Sequence, residues 1–147
     1  MNRLQFFLKA KTKFNLHSPF VFDLYREVLF APLAKERRRE LAIADKRQEL
    51  IYKLANHLQP QHLFLAHMDD HMVELVRKAS PHTVVEEWTG QTPSPSDIVL
   101  LSHPHRSEQL WQRLQAIPHA TATLDLFHTG ILLFNQKLHK QYFLLRK

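Results

Sequence analysis

The sequence predicts an α/β fold: an open, mostly parallel sheet with helices on its faces, a helical N-terminal extension before it and an antiparallel hairpin at its end. Three observations carry that reading. Up to residue 58 apolar residues repeat at helical spacing, from His62 onward short apolar runs alternate with helical stretches, and after Pro118 the chain turns strand-rich. A chain of 147 residues has room for one core, so one domain is expected, 1–147, made of a helical extension (1–58) and a sheet-containing core (61–147).

In the extension the clearest helix start is Ser18 followed by Pro19. A serine hydroxyl can accept from an orphan amide of the first turn, and proline has its φ preset for the first helical position. Phe20, Leu24 and Val28 then fall on one face. A longer helical stretch is expected over about 33–58, where Leu50, Ile51, Leu54 and Leu58 keep the helical period until Pro60 stops it.

In the core, 62–66 has the length and apolarity of a buried strand, and 70–79 should be the helix that follows. Ser80-Pro81 breaks that helix, 83–86 reads as the second strand, and Thr89-Gly90 with Pro93 and Pro95 as a loop. The third strand is 97–102. Ser107 stands where a cap is needed for a helix with Leu110, Trp111, Leu114 and Ile117 on one face, closed by Pro118. The β-rich segments 121–127, 131–134 and 141–145 complete the chain, and the last two are expected to pair as the hairpin.

Composition narrows the chemistry. Without cysteine there are no disulfides, thiolate nucleophiles or cysteine-held metal sites, which suits a cytoplasmic protein. The apolar stretch 4–8 is too short for a signal-peptide core or a membrane span, and no membrane partner is expected. The net charge of +6 gathers at Lys9, Lys11, Lys13 and the run Arg37, Arg38, Arg39; with no nucleic-acid motif beside it, a solvated helix face is expected rather than nucleic-acid binding. The only two glycines, Gly90 and Gly130, rule out a dinucleotide fingerprint or the usual phosphate-cradling loop, and there is no Gly-x-Ser-x-Gly nucleophile elbow.

Three segments together resemble a known family: His17-Ser18-Pro19-Phe20-Val21-Phe22-Asp23, then Ser96-Asp97-Ile98-Val99-Leu100-Leu101, then Thr123-Leu124-Asp125-Leu126-Phe127-His128-Thr129-Gly130, with Lys140-Gln141-Tyr142-Phe143 as the ending. They are similar to bacterial class I S-adenosylmethionine-dependent methyltransferase-like proteins, of which this chain looks like a shortened, degenerate member. The resemblance covers the N-terminal and C-terminal thirds and implies a reduced Rossmann-like fold, with S-adenosylmethionine at the carboxyl ends of the parallel strands. The residues it implies around the cofactor are Ala66, His67, Glu86 and Ser102. Glu86 would hold the ribose, with Glu87 as substitute, and Ser102 stands where the family has an acid. The turn Ala66-His67-Met68-Asp69-Asp70-His71 lacks the glycines that let backbone approach the cofactor, so the implied protein is catalytically impaired, and no catalytic residue is assigned.

The same turn supports a metal reading. His67, Asp69, Asp70 and His71 follow one strand while His103 and His105 follow another, and on this reading imidazoles and carboxylates at neighbouring strand ends share one rim and bind zinc with a hydrolytic water. The turn also resembles the His-Pro-Asp-Asp-Glu turn of zinc-dependent N-acetylglucosamine deacetylases. Carried over, His67 and Asp70 are ligands and Asp69 the base, with Met68 and His71 as departures. The plain alternative is that Asp69 or Asp70 caps the next helix. A third reading is a non-catalytic interaction module without cofactor, in which Phe6, Phe7, Phe14, Phe20 and Phe22 form core, a homo-oligomer contact or, with the nearby lysines, a lipid surface; core packing is the expectation. A small-molecule partner fits each of the first two readings.

Overall fold

The computed structural model describes residues 1–10, 18–138 and 140–145. Among the sequence expectations, Lys11, Lys13, Phe14 and His17 lie outside them. The architecture is mixed α/β, with a six-stranded, mostly parallel sheet and helices on both faces.

Helix α1 (Arg3–Lys9) opens on a capping box: Asn2 accepts from the Gln5 amide, and the Gln5 side chain accepts from the Asn2 amide. Helix α2 (Pro19–Leu24) starts at the expected Ser18 cap and runs on as a π-helical turn, Tyr25–Phe30. The stretch expected as one helix is two, α3 (Lys35–Glu40) and α4 (Lys46–Leu58). The cause is local: α3 has no buried residue, Leu41 turns into the core, Ala42 takes a left-handed conformation, and Asp45 caps a new helix by accepting from the Gln48 amide.

Strand β1 (His62–Leu65), helix α5 (Asp70–Ala79), strand β2 (Val84–Glu87) and strand β3 (Ile98–Ser102) follow the predicted order. A short 3-10 turn, Pro104–Arg106, leads into helix α6 (Glu108–Gln115), and strands β4 (Ala122–Asp125), β5 (Thr129–Leu133) and β6 (Gln141–Leu144) complete the sheet in the order β2-β1-β3-β5-β4-β6. Strand β1 is parallel to β2 and β3, and β4 to β6, whereas β5 runs against both its neighbours.

The antiparallel hairpin is therefore β4–β5 and not the last two strands. Both edges of β5 are occupied, by β3 and β4, so β6 takes the open edge of β4 and runs parallel to it, pairing Ala122 with Gln141 and Asp125 with Leu144. The connection from β5 to β6 therefore passes β4.

Strand residues alternate between two cores. Leu63, Leu65, Ile98, Leu100, Leu124 and Ile131 face α2, α4 and α5, while Phe64, Val99, Leu101 and Leu132 face Trp111 and Leu114 of α6. At Gly130 the indole of Trp111 lies so close that a Cβ would stand 2.5 Å from its ring, so this glycine is required by packing. Phe6 belongs to the interior, Phe20 and Phe22 pack on the core, and Leu4 and Leu8 of α1 face outward. Among the described residues no helix is long and apolar enough to cross a membrane.

Candidate functional site

The carboxyl ends of β1, β3 and β4 lie along one edge of the sheet, the edge at which both the cofactor reading and the metal reading placed their residues. The β1–α5 turn is satisfied internally. Ala66 is buried and its amide bonds to the Leu100 carbonyl, while Asp69 caps α5, one carboxylate oxygen accepting from the His71 and Met72 amides at 2.9 and 3.2 Å. No residue of the turn has positive φ, which is why it folds without glycine. The His71 imidazole reaches away, to the Ala42 carbonyl at 3.0 Å.

Of the remaining predicted residues, His67, Asp69 and Asp70 are exposed on this turn. Glu86 is half-buried in edge strand β2, opposite Phe64, and the strand ends one residue later at the exposed Glu87. Ser102 ends β3 opposite Thr129. His103 follows it in the left-handed region, φ 52°, its amide bonded to the His128 carbonyl. Among the described residues no three His, Asp or Glu side chains stand together as a metal-holding group, so His67, Asp69 and Asp70 are not joined with His103 and His105 in one.

His105 instead meets a residue the sequence reading did not single out as a site. Asp125, the last residue of β4, is fully buried. Its Oδ1 accepts from the Phe127 amide at 2.9 Å, and its Oδ2 accepts from the Tyr142 hydroxyl at 2.5 Å. Nε2 of His105 lies 2.7 Å from the same Oδ2, yet it lacks the alignment of a hydrogen bond and is sealed from water. The ring of His105 is held between Phe127, stacked on it at 5.4 Å, and Phe6 of α1, edge-on at 5.9 Å. Burial, and after it the bond to Asp125, pushes the Tyr142 phenol well above its ordinary range. The phenol therefore stays protonated as a donor.

Two of the five described non-glycine residues with positive φ lie beside this cluster. Phe127, like His103, is a non-glycine residue with positive φ, 69°, and both flank the cluster. Burial lowers the proton affinity of the His128 imidazole, and the charges of His103, Arg47 and Lys46 add to it against Asp45; His103 is lowered by burial first and then by Arg106 and Arg47. The buried acid is thus held by an amide and a phenol beside an imidazole, with aromatic rings around it. One signal in the sequence pointed here: an aspartate inside the apolar run Thr123-Leu124-Asp125-Leu126 has to find donors if the run is buried.

No protein family model matches the chain, and no curated protein or solved structure matches it.

Proposed function

We propose that the chain is a methyltransferase-like protein of reduced Rossmann-like architecture whose S-adenosylmethionine site is closed, and that it acts as a binding scaffold and not as a methyl-transfer enzyme. The scaffold part is supported by where the resembling segments fall: the Ser18-Pro19 segment starts α2, Ile98–Ser102 is the central strand β3, the Thr123 to Gly130 segment forms the β4–β5 hairpin, and Lys140 to Phe143 leads into β6.

The observation that carries the closure is the Asp69 cap. The amides at the start of α5 are the donors that a ligand at the first strand turn would use. Here the Asp69 carboxylate already occupies two of them and adds negative charge to the turn. With no glycine in the turn and Ser102 in place of an acid, the residues present do not fit the cofactor. The same cap counts against the hydrolase reading, because Asp69 would have to leave both amides to serve as a base.

Calorimetric titration with S-adenosylmethionine tests the proposal. No binding tighter than about 1 mM is expected. A micromolar dissociation constant would overturn it, and Glu86→Ala would then be the variant to show whether the ribose site survives.

A further inference from the structure

Between α1, the first turns of α4 and the β4–β5 turn lies a cavity of about 190 Å³, on the face of the sheet away from α6. That volume is below the roughly 300 Å³ at which sites for drug-sized ligands begin, so its occupant is small. Its floor is apolar, formed in part by Leu50, Leu126 and Leu145, and Phe6 and Phe7 close one side.

Its charged lining is one-sided. Arg3, Lys46 and Lys53 contribute cations and His128 an imidazole, and the one acid among the described lining residues is Glu49. That acid is buried and engaged: its Oε1 accepts from the Leu33 amide at 3.0 Å and lies 3.8 Å from the Arg38 guanidinium. The Lys53 ammonium donates to the Ala31 carbonyl at 2.6 Å, which fixes its position. Arg3 lies over the Phe7 ring at 5.5 Å. Lys46 is the first residue of α4, where the helix itself carries partial positive charge, so a lysine there works against helix stability.

From this cavity, its cations and its apolar floor we infer a binding site for a small organic anion, a single phosphate or carboxylate group on a compact apolar body. Lys46 and Arg3 meet the anionic group at the rim, and the leucine floor takes the apolar body. The inference is independent of whether the S-adenosylmethionine site is closed, since none of that site's residues lines this cavity. His128 reports occupancy: burial first, and cationic neighbours after it, depress its proton affinity, and a bound anion offsets the second of these and raises it.

The test is titration of the whole chain with phenyl phosphate, with inorganic phosphate and benzyl alcohol as separate probes, followed by the His128 imidazole resonances and by calorimetry. Phenyl phosphate is expected to bind with a Kd of about 0.1–1 mM, at least about tenfold tighter than either partial probe, and to raise the pH midpoint of His128. Lys46→Glu should weaken binding by about tenfold or more while leaving the melting temperature equal or higher, because an acid suits the first turn of a helix. Failure of phenyl phosphate to bind, equal binding of inorganic phosphate, or undiminished binding by Lys46→Glu would each overturn the inference.

Discussion

At Asp125 a single carboxylate, wholly shielded from water, accepts from an amide and a phenol and lies beside an imidazole, and its neighbour along the hairpin, Gly130, has no side chain because Trp111 occupies the space. The two facts belong to one packing arrangement, since the Trp111 indole also donates to the Tyr142 hydroxyl at 3.4 Å. Gly130→Ala is expected to cost about 1–3 kcal/mol by overpacking, and Trp111→Phe in the same chain to recover part of the loss. A denaturation series on both single variants and the double variant checks this; strictly additive costs would mean that the glycine is needed for some other reason. The sequence reading singled out neither residue as a site. Gly130 stood out in the sequence only as one of two glycines, because the residue that demands it lies 19 positions earlier on a different element, and Asp125 was noticed only within a resembling segment because its donors come from β6 and the turn after β4.

Among the elements, α5 fell where the sequence placed it, because its start signal, its apolar period and its Ser80-Pro81 stop all agree. The elements read less well are those whose limits are set from outside. The break between α3 and α4 depends on Leu41 reaching the core, and the partner of β6 depends on β5 being paired on both edges. Periodicity within a segment carries no information about either. The capping role of Asp69, left open between two aspartates by the sequence, separates structural from functional use of the β1–α5 turn. Asp69→Ala is expected to destabilise the protein by about 1 kcal/mol, the usual cost of removing a helix N-cap. The measurement is chemical denaturation with and without excess zinc. If zinc raised the stability of the native chain, and Asp69→Ala or Asp70→Ala abolished that gain, the turn would be a metal site and the cap only its resting arrangement.

For the molecule as a whole, the carboxyl edge gathers positive charge from elements far apart in the chain, Lys46 and Arg47 at the start of α4 and Arg106 after β3, around the imidazoles of His103 and His128. Both histidines have folded-state proton affinities lowered below the ordinary value of 6.5, by burial first and by these cations second. Below that pH the unfolded chain takes up protons that the folded chain resists, so stability is fully present above about pH 6.5 and is lost as the pH falls through the folded-state values. Acidification also adds charge to a chain already at +6. Denaturation midpoints should therefore drop between pH 7.5 and about pH 5, and His128→Gln should flatten that drop, since the variant removes one of the two groups that resist protonation. Salt separates the two causes. At about 0.5 M the Coulombic share is screened while the cost of burying a charged imidazole remains, so the pH dependence should shrink only in part. If salt abolished it, the cations would outweigh burial; if His128→Gln left it unchanged, the proton uptake that unfolds the protein would lie elsewhere.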